Sequence, residues 1–552
     1  MSITVGDLLT SVAERYPDDN AVKYTDRDYC RTWKEFNDEA EEIARGFLAL
    51  GIGKGDHIAI WATNTPEWLL TLFASAKIGA VLVTVNTNYK VFELDYLLTQ
   101  SDTKALVMCK GTKRSDYVEI VNELIPELKD MDSSQELSVE KLPFLKRIIV
   151  ASEKEETGML RFASLYGHND AELFDRYEEI HKSLTPHDIV NMQYTSGTTG
   201  VPKGVMLTHY NIVNNGKSIG DCMKFTHDDR LCITVPFFHC FGLVLAVMSC
   251  LTHASSMVPV EVFSPIKCLK AIQDEQCTAF HGVPTMYIAM LEHPEFKNIK
   301  FPRLRTGIMA GSPCPIKVMK QVIDEMGMKE ITISFGQTEL SPVCTMTTTD
   351  DSIERRVNTI GKAMPHIECK IVDPETGLEC PPNTQGEFCA RGYNVMKGYY
   401  KMEEATAQTI DKDGWVHSGD LCTCDEDGYY KVTGRIKDMI IRGGENIYPK
   451  EIEEFLYTIH DKVKDVQVIG VPSKVYGEEV MACIILRDGV TWTEDEVKEI
   501  VAKNMARHKV PAYVAFVNEF PMNAAGKIMK YKMREWAVDY LGLHDAAGIE
   551  TA

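Results

Sequence analysis

Residues 194–204 combine glycines, hydroxyl side chains and one lysine in the order Tyr-Thr-Ser-Gly-Thr-Thr-Gly-Val-Pro-Lys-Gly. Glycines let a backbone turn tightly and approach a ligand closely. Hydroxyl groups and backbone amides can together surround anionic oxygens. Lys203 adds a positive charge of the kind that binds phosphate. Apolar residues lie on both sides of the stretch, which predicts a strand, a phosphate-binding loop and a second strand.

Two common nucleotide-binding patterns are missing from the sequence. The chain contains neither Gly-x-x-x-x-Gly-Lys-Ser/Thr nor Gly-x-Gly-x-x-Gly, the patterns of the Walker loop and the Rossmann fold. By its composition alone, the stretch 194–204 could equally be a flexible surface linker.

The stretch closely resembles the signature loop of adenylate-forming enzymes. This superfamily includes acyl-CoA synthetases, aryl-CoA ligases, luciferases and the adenylation domains of peptide synthetases. The resemblance extends over nearly the whole chain, with every motif in order. It implies an ATP/AMP-binding loop made of Thr195, Ser196, Gly197, Thr198, Thr199, Gly200 and Lys203.

Length and composition limit the class of protein. A chain of 552 residues needs at least two domains. The net charge of −21 argues against nucleic acid as a partner. No signal peptide is apparent, and the 16 cysteines form no zinc-spaced cluster, which predicts reduced thiols in a cytoplasmic enzyme. Residues 231–251 are apolar but interrupted by Pro236, His239 and Gly242, which favours a strand, a turn and a buried helix over a membrane span.

Alternating helix and strand patterns predict an α/β fold. Residues 112–170 are less regular and charged, and we interpret them as a surface excursion. After residue 361, short strands and frequent turns predict a smaller β-rich subdomain. Together with the resemblance, this predicts a large N-terminal adenylation domain at 1–434, with two layered α/β subdomains and the β-rich one. A hinge is predicted at 435–437 and a small, mobile α+β C-terminal domain at 438–552.

An aromatic turn surrounds one histidine at residues 236–242, Pro-Phe-Phe-His-Cys-Phe-Gly. A lone histidine among apolar residues is usually structural. Acyl-CoA synthetases carry a similar turn, and this resemblance implies that His239 is catalytic and borders the acyl carboxylate. Apart from His239 and His281, the region has almost no polar side chain. Its apolar residues therefore either line a pocket for an apolar substrate or belong to the hydrophobic core. The acyl pocket implied here consists of Phe237, Phe238, Phe241 and Val283.

Two glycine turns follow predicted strands at residues 311–313 and 334–339. Such turns mean little singly, and Glu339 alone could be a solvated turn carboxylate. Together the turns resemble the family's adenine platform, with Thr338 reaching the α-phosphate as a catalytic residue and Glu339 holding magnesium. The nucleotide contacts implied here are Gly311, Ser312, Pro313, Ser334, Phe335, Gly336, Gln337 and Thr338.

Three later motifs complete the resemblance. Asp420, otherwise an ordinary turn aspartate, and Arg435 match the ribose-binding pair, and Lys437 matches the hinge. Lys527, which alone would be read as a surface charge, matches the catalytic lysine. The CoA-binding loop implied here is Gly443, Gly444 and Glu445.

The resemblance thus implies an ATP-dependent fatty acyl-CoA synthetase that uses magnesium and CoA. It would activate a carboxylic acid as acyl-adenylate and transfer the acyl group to CoA, with a medium- to long-chain acid preferred. An aryl-CoA ligase of the coumarate type, a ligase that loads a carrier protein and a nucleotide-binding pseudoenzyme are the alternatives. Peripheral membrane contact and the choice between monomer and homodimer stay open.

Overall fold

The computed structural model describes residues 1–113, 115–195, 202–311, 314–435, 438–442, 445–459, 461–473, 476–505, 507–523 and 528–544. Within these residues, helices and strands alternate as the sequence predicts. The α-helices are α1 Val5–Arg15, α2 Trp33–Ala49, α3 Pro66–Lys77, α4 Val91–Gln100, α5 Tyr117–Leu124, α6 Ala171–Lys182, α7 His209–Cys222, α8 Ser249–His253, α9 Pro265–Asp274, α10 Pro284–Leu291, α11 Ile316–Glu325, α12 Ile353–Asn358, α13 Glu403–Thr409, α14 Pro449–Ile459, α15 Glu494–Asn504 and α16 Lys530–Leu541.

The strands supply four main sheets and one short hairpin. In chain order they are β1 Asn20–Lys23, β2 Cys30–Thr32, β3 His57–Trp61, β4 Val81–Thr84, β5 Ala105–Cys109, β6 Gly111–Thr112, β7 Ser115–Asp116, β8 Arg147–Ala151, β9 Leu160–Arg161, β10 Ile189–Thr195, β11 Lys203–Thr208, β12 Arg230–Ile233, β13 Ser256–Pro259, β14 Ala279–Gly282, β15 Thr306–Met309, β16 Glu330–Gly336, β17 Val343–Met346, β18 Lys362–Ala363, β19 Ile367–Val372, β20 Gly386–Gly392, β21 Gly398–Tyr399, β22 Val416–Cys424, β23 Tyr430–Arg435, β24 Ile440–Arg442, β25 Glu445–Ile447, β26 Val463–Ser473, β27 Gly477–Leu486 and β28 Tyr513–Phe516.

Local sequence signals explain where several elements begin. Thr32 and Glu35 form the expected capping box at the start of α2, each side chain bonding the backbone amide of the other. Proline occupies the first turn of α3, where its missing N–H would have no helical partner in any case. The predicted strands β3, β4 and β5 are confirmed, and they pair in parallel.

Two large sheets form the layered α/β part of the molecule. One has nine strands in the order β18-β17-β16-β15-β14-β12-β13-β1-β2, and the other has eight in the order β21-β11-β10-β4-β3-β5-β8-β9. The central strands are buried on both faces; β4 and β5, for example, are buried throughout. Helices therefore cover both faces, as they do in doubly wound folds.

The interpretation of residues 112–170 as a surface excursion is wrong. Residues Arg147–Ala151 form β8, which pairs in parallel with β5 inside the eight-stranded sheet. In addition, α5 buries Tyr117, Val121 and Leu124. Charged residues on both sides of the short Ile148–Val150 run obscured a strand that tertiary packing buries.

The predicted β-rich region is a four-stranded antiparallel sheet in the order β19-β20-β22-β23. The last part of the chain forms a separate sheet, β25-β24-β27-β26, with β28 beside β27. Apolar residues from 440 to 543 make two clusters on this sheet, distinct from the clusters of the preceding residues. The chain is therefore α/β, with a large N-terminal domain and a small α+β C-terminal domain.

The apolar stretch 231–251 folds as a strand, a turn and a buried helix, as predicted. Strand β12 leads into the turn, and a π-helical segment, Phe241–Met248, continues into α8. Short π-helical stretches occur frequently at functional sites. In the described part of the chain, no helix combines the length and apolarity needed to cross a bilayer.

Candidate functional site

The glycine-rich loop connects the two strands of an antiparallel hairpin. Thr195, at the end of β10, is the register partner of Lys203, at the start of β11. The ammonium group of Lys203 lies 4.9 Å from the ring centroid of Tyr399, a cation–π distance. The predicted strand–loop–strand arrangement is therefore confirmed on both sides of the loop.

The segment 334–339 lies at the end of β16. Ser334 and Thr338 are buried, and Gly336 is exposed. A Cβ atom at Gly336 would lie 1.7 Å from the carbonyl oxygen of Pro342, so only glycine fits the backbone here. The ring of Phe335 meets Phe388 edge to face at a centroid distance of 5.1 Å.

Tyr399 connects Glu339 to the glycine-rich hairpin. Its hydroxyl donates to Oε1 of Glu339 at 2.7 Å, while its ring lies beside Lys203. Burial and the charge of Glu339 raise the pKa of Tyr399, so the hydroxyl keeps the proton that it donates. Among the described residues, Tyr399 is the only side-chain donor to this carboxylate, whose second oxygen can therefore serve a cation.

The chemistry of Glu339 fits magnesium. Mg²⁺ is typically bound by one or two carboxylates together with substrate phosphates, and here a carboxylate lies at a strand end close to the hairpin of Lys203. When bound, the ion would neutralise charge on phosphate oxygens. Glu339 is the residue of this chain that would hold it.

The aromatic turn at 236–242 lies beside the same strand ends. The amide of Phe241 donates to Nδ1 of His239 at 3.1 Å. The neighbouring thiol of Cys240 contacts Thr338 and Gln193, and burial together with the Glu339 charge raises its pKa. The structure thus brings the turn, the end of β10 and the segment 338–339 together.

The predicted acyl-pocket residues separate into two groups. A Cβ atom at Gly311 would lie 3.1 Å from Cγ1 of Val283 and 3.9 Å from Cδ1 of Phe241, so these three residues adjoin. Phe237 is fully buried, with its ring 5.3 Å from that of Trp68, which is a core contact. Phe238 is 9% exposed.

Both ring nitrogens of His281 form hydrogen bonds with backbone groups. Its Nδ1 accepts from the amide of Ile308 at 3.2 Å, so Nε2 carries the proton and donates to the carbonyl of Leu245 at 3.1 Å. Burial lowers its pKa to about 4. His281 is therefore neutral near pH 7 and presents no free ring nitrogen to a substrate.

Asp420 and Arg435 are direct register partners across β22 and β23. Asp420 is 4% exposed, and its amide donates to Oγ of Ser418 at 3.1 Å. The preceding Gly419 has φ +70°, a left-handed conformation that favours glycine. The two predicted ribose contacts thus start from adjacent backbone positions.

Several predicted site residues lie outside the described residues or have only their backbone described. Glu445 begins β25 and pairs with Arg442, and for Arg435 likewise only the backbone is described. The residues outside the described ranges are Ser196, Gly197, Thr198, Thr199, Gly200, Ser312, Pro313, Lys437, Gly443, Gly444 and Lys527.

Sequence reasoning missed Tyr399, Cys240 and Gln193 as neighbours of the predicted residues. Tyr399 is 196 residues from Lys203 along the chain and reaches it only because β21 pairs with β11. Cys240 could have been noticed because it directly follows His239 in the aromatic turn. No local pattern distinguishes Gln193 from other strand residues.

The layered α/β fold and the strand-end cluster around a glycine-rich hairpin define an adenylate-forming enzyme. Residues 9–400 match the AMP-binding enzyme family, and residues 451–527 match the AMP-binding enzyme C-terminal domain. The chain belongs to the AMP-binding enzyme family.

Two similar proteins in this family are an acyl-CoA synthetase and an acyl-CoA ligase. A putative acyl-CoA synthetase of Bacillus subtilis is 53% identical, covering 98% of both chains. A mitochondrial medium-chain acyl-CoA ligase of Danio rerio is 40% identical over 98% of this chain and 89% of that protein. The ATP-bound structure of MatB from Rhodopseudomonas palustris aligns with a TM-score of 0.80 at 28% identity, covering 98% of this chain and 100% of the other. These relationships confirm the predicted family and its acid–thiol ligase class.

Proposed function

We propose that this chain is an AMP-forming fatty acyl-CoA synthetase that prefers medium-chain acids. The acid carboxylate attacks the α-phosphorus of ATP, pyrophosphate leaves, and the acyl-adenylate then reacts with the thiol of CoA to release AMP. The medium-chain preference is supported by the similarity to the medium-chain acyl-CoA ligase of Danio rerio. The apolar contacts around Gly311 support an alkyl rather than a hydroxylated aryl substrate.

The substrate class is inferred from two observations together: apolar side chains adjoin Gly311, and His281 has no ring nitrogen available for a substrate. Phe241 and Val283 adjoin Gly311, while both nitrogens of His281 bind backbone groups. A ring hydroxyl buried there without a partner would cost roughly 1–3 kcal/mol. Each buried methylene of an alkyl tail would contribute about 0.8 kcal/mol, or about fourfold in kcat/KM, until the pocket ends.

The resemblance to adenylate-forming enzymes implies the following catalytic roles. Lys203 and the glycine-rich loop would hold the β- and γ-phosphates, and Thr338 would reach the α-phosphate. His239 would border the acyl carboxylate. Lys527 would stabilise charge developing on the α-phosphate during adenylation, and Asp420 with Arg435 would bind the ribose.

The experiment is a panel of acids assayed for acid-dependent AMP release with CoA: acetate, butanoate, hexanoate, octanoate, dodecanoate and coumarate. We expect kcat/KM to rise from acetate to octanoate and to be low for coumarate. A preference for coumarate would replace the fatty-acid assignment with an aryl-CoA ligase. Pyrophosphate release without CoA-ester formation would favour a ligase that loads a carrier protein, and no pyrophosphate release with any acid would indicate a pseudoenzyme.

A matched pair of variants tests the position of the acyl site. Val283→Phe adds bulk next to Gly311 and should lower kcat/KM for octanoate about tenfold or more while sparing butanoate, since filling an apolar pocket excludes the longer tail. Val262→Phe makes the same change at a side chain that is 55% exposed and should leave the chain-length profile unchanged. If both variants had the same dependence of kcat/KM on chain length, the acyl site would not lie beside Val283.

A further inference from the structure

Three side chains with metal-binding atoms share one face of the four-stranded sheet. Glu387 and Cys389 are two residues apart on β20, so they point to the same side. His417 on β22 is the direct register partner of Cys389. The register shifts between Glu387 and Cys389, and such irregularities re-aim side chains near functional sites.

The three groups converge closely. Oε2 of Glu387 lies 2.8 Å from Nδ1 of His417, and Sγ of Cys389 lies 3.5 Å from the same nitrogen. All three ligand atoms lie within 4.8 Å of one another. Tetrahedral zinc with bonds of about 2.0–2.3 Å separates its ligand atoms by roughly 3.3–3.8 Å. The 3.5 Å contact of Cys389 with His417 fits this spacing, and the 2.8 Å contact of Glu387 with His417 would have to lengthen as an ion enters.

In the absence of an ion, Nδ1 of His417 meets both the carboxylate of Glu387, an acceptor, and the thiol of Cys389, which can act as a weak donor or a weak acceptor. A neutral imidazole nitrogen either donates or accepts. If Nδ1 donates to Glu387, it cannot also accept from the thiol of Cys389. A cation bound between the three groups would take an electron pair from each of them.

A carboxylate lies near the outer ring nitrogen of His417. Nε2 of His417 is 3.6 Å from Oδ2 of Asp411, longer than a hydrogen bond, and a small side-chain rotation would let this carboxylate orient the ring as carboxylates commonly do for histidine ligands. The second oxygen of Glu387 accepts from the amide of Gly419 at 2.9 Å. Glu387 is 13% exposed and His417 is 37% exposed, so an ion can enter past the histidine.

We propose that Glu387, Cys389 and His417 form a binding site for a divalent transition-metal ion of the zinc type. The mixed sulfur, nitrogen and oxygen donor set suits Zn²⁺ better than Mg²⁺ or Ca²⁺, which prefer oxygen. The thiol proton leaves to solvent as the metal–sulfur bond forms. Three protein ligands and one water complete a tetrahedron, with Asp411 orienting His417.

Metal binding here would act on the turn that carries Asp420. Glu387 would link the ion to the amide of Gly419, the residue before Asp420. Zn²⁺ should therefore change the KM for ATP in the wild-type enzyme and not in Cys389→Ser. This effect on ATP binding rests on the proposed function, whereas the metal site itself does not. A metal spectrum reports the site directly, so failure of the metal proposal can be told apart from failure of the proposed function.

The test uses the full-length chain, stripped with a chelator and titrated with Co²⁺ alone, followed by competition with Zn²⁺. We expect saturation at one equivalent and a sulfur-to-cobalt charge-transfer absorption that Zn²⁺ abolishes. Cys389→Ser should remove this absorption, and Asp411→Asn should weaken metal affinity about tenfold. His417→Gln should weaken metal binding further. Because His417 is partly exposed, this variant still tests the site if Cys389→Ser fails to fold.

Cys424→Ser is the matched control, because Cys424 lies on the same strand as His417 but outside the cluster. This variant should keep the full cobalt spectrum. A charge-transfer absorption that survives in Cys389→Ser would place the bound ion at another cysteine and overturn the proposal, and so would an unchanged cobalt affinity in His417→Gln. Absence of saturable binding to the wild-type chain would overturn it equally.

Discussion

At the scale of single residues, Tyr399 links the two charged groups of the predicted ATP site. Its ring lies beside the ammonium group of Lys203, and its hydroxyl donates to Glu339. A hydrogen bond to a charged group contributes about 1.5–3 kcal/mol. Tyr399 would thus be a positioning residue, since it holds the carboxylate that we propose binds magnesium.

Tyr399→Phe should lower kcat/KM for ATP in the adenylation half-reaction about 10- to 100-fold, because Glu339 loses its hydrogen-bond donor. The loss should shrink as Mg²⁺ is raised. Pyrophosphate release measured across Mg²⁺ concentrations checks this. Tyr400→Phe is the control, since the Tyr400 hydroxyl donates to Asp102 at 2.8 Å instead. A Mg²⁺-independent loss in Tyr399→Phe would point to a purely structural role.

His209 predicts a pH dependence of stability. It is fully buried and accepts from the amide of Val5 at 3.1 Å, and burial lowers its pKa to about 4. The unfolded chain takes up this proton near pH 6.5. The free energy of unfolding should therefore fall, by on the order of 3 kcal/mol from this group, as the pH drops from about 6.5 to about 4.

His209→Asn keeps an acceptor for the amide of Val5 but does not titrate. The free energy of unfolding of the wild type, measured relative to that of the variant, should therefore fall by that amount as the pH drops through the same range. Denaturant unfolding at several pH values measures it. His366→Asn is the control at an exposed position with φ +63°, which asparagine tolerates. Parallel curves for wild type and His209→Asn would refute the assignment.

At the scale of elements, the turn 236–242 depends on close backbone contact. A Cβ atom at Gly242 would lie 2.2 Å from the carbonyl oxygen of Pro236, so the turn closes only around glycine. The π-helical segment Phe241–Met248 begins at the same point. The position of His239 is therefore fixed by this contact.

Gly242→Ala should lower stability by roughly 1–3 kcal/mol, the usual cost of overpacking, and displace His239. Both the midpoint of thermal unfolding and the adenylation rate should fall. Gly53→Ala is the control, because the nearest atom to a Cβ there is 3.7 Å away. If Gly242→Ala matched Gly53→Ala in both measurements, the turn would have to be more adaptable than its contacts indicate.

The elements also show what the sequence could and could not predict. Strands β3 to β5 were recognisable because apolar runs sat between clear helix and turn signals. Strand β8 was not, because its apolar run is short and charged residues flank it. Family motifs implied a ribose role for Asp420 and for Arg435, but their pairing across β22 and β23 is a finding of the structure. The contact of Tyr399 with Glu339 depends on β21 joining β11, which no local pattern encodes.

At the scale of the whole molecule, surface ion pairs join the large domain to the last part of the chain. Glu292 pairs with Lys464 at 2.8 Å and with Arg487 at 3.3 Å, and Lys317 pairs with Asp461 at 2.8 Å. Exposed pairs of this kind contribute about 0–1 kcal/mol each. Ion pairs this weak would not by themselves oppose the reorientation of the C-terminal domain that the predicted hinge at Lys437 requires. The hydrogen bond from the Lys450 ammonium group to the carbonyl of Val432, 2.7 Å long, would also have to be released.

Locking this arrangement tests whether both half-reactions need the reorientation. Cysteines at Lys317→Cys and Asp461→Cys, joined by a short cleavable bis-maleimide on a Cys30→Ser background, would fix the domains across a pair whose side chains are 41% and 100% exposed. We expect the cross-linked enzyme to keep at most one half-reaction, either pyrophosphate release or thioester formation from supplied acyl-adenylate. Cleaving the linker should restore CoA-ester formation, and the two single-cysteine variants treated alike should stay active. Full turnover while cross-linked would mean that one domain arrangement serves both steps.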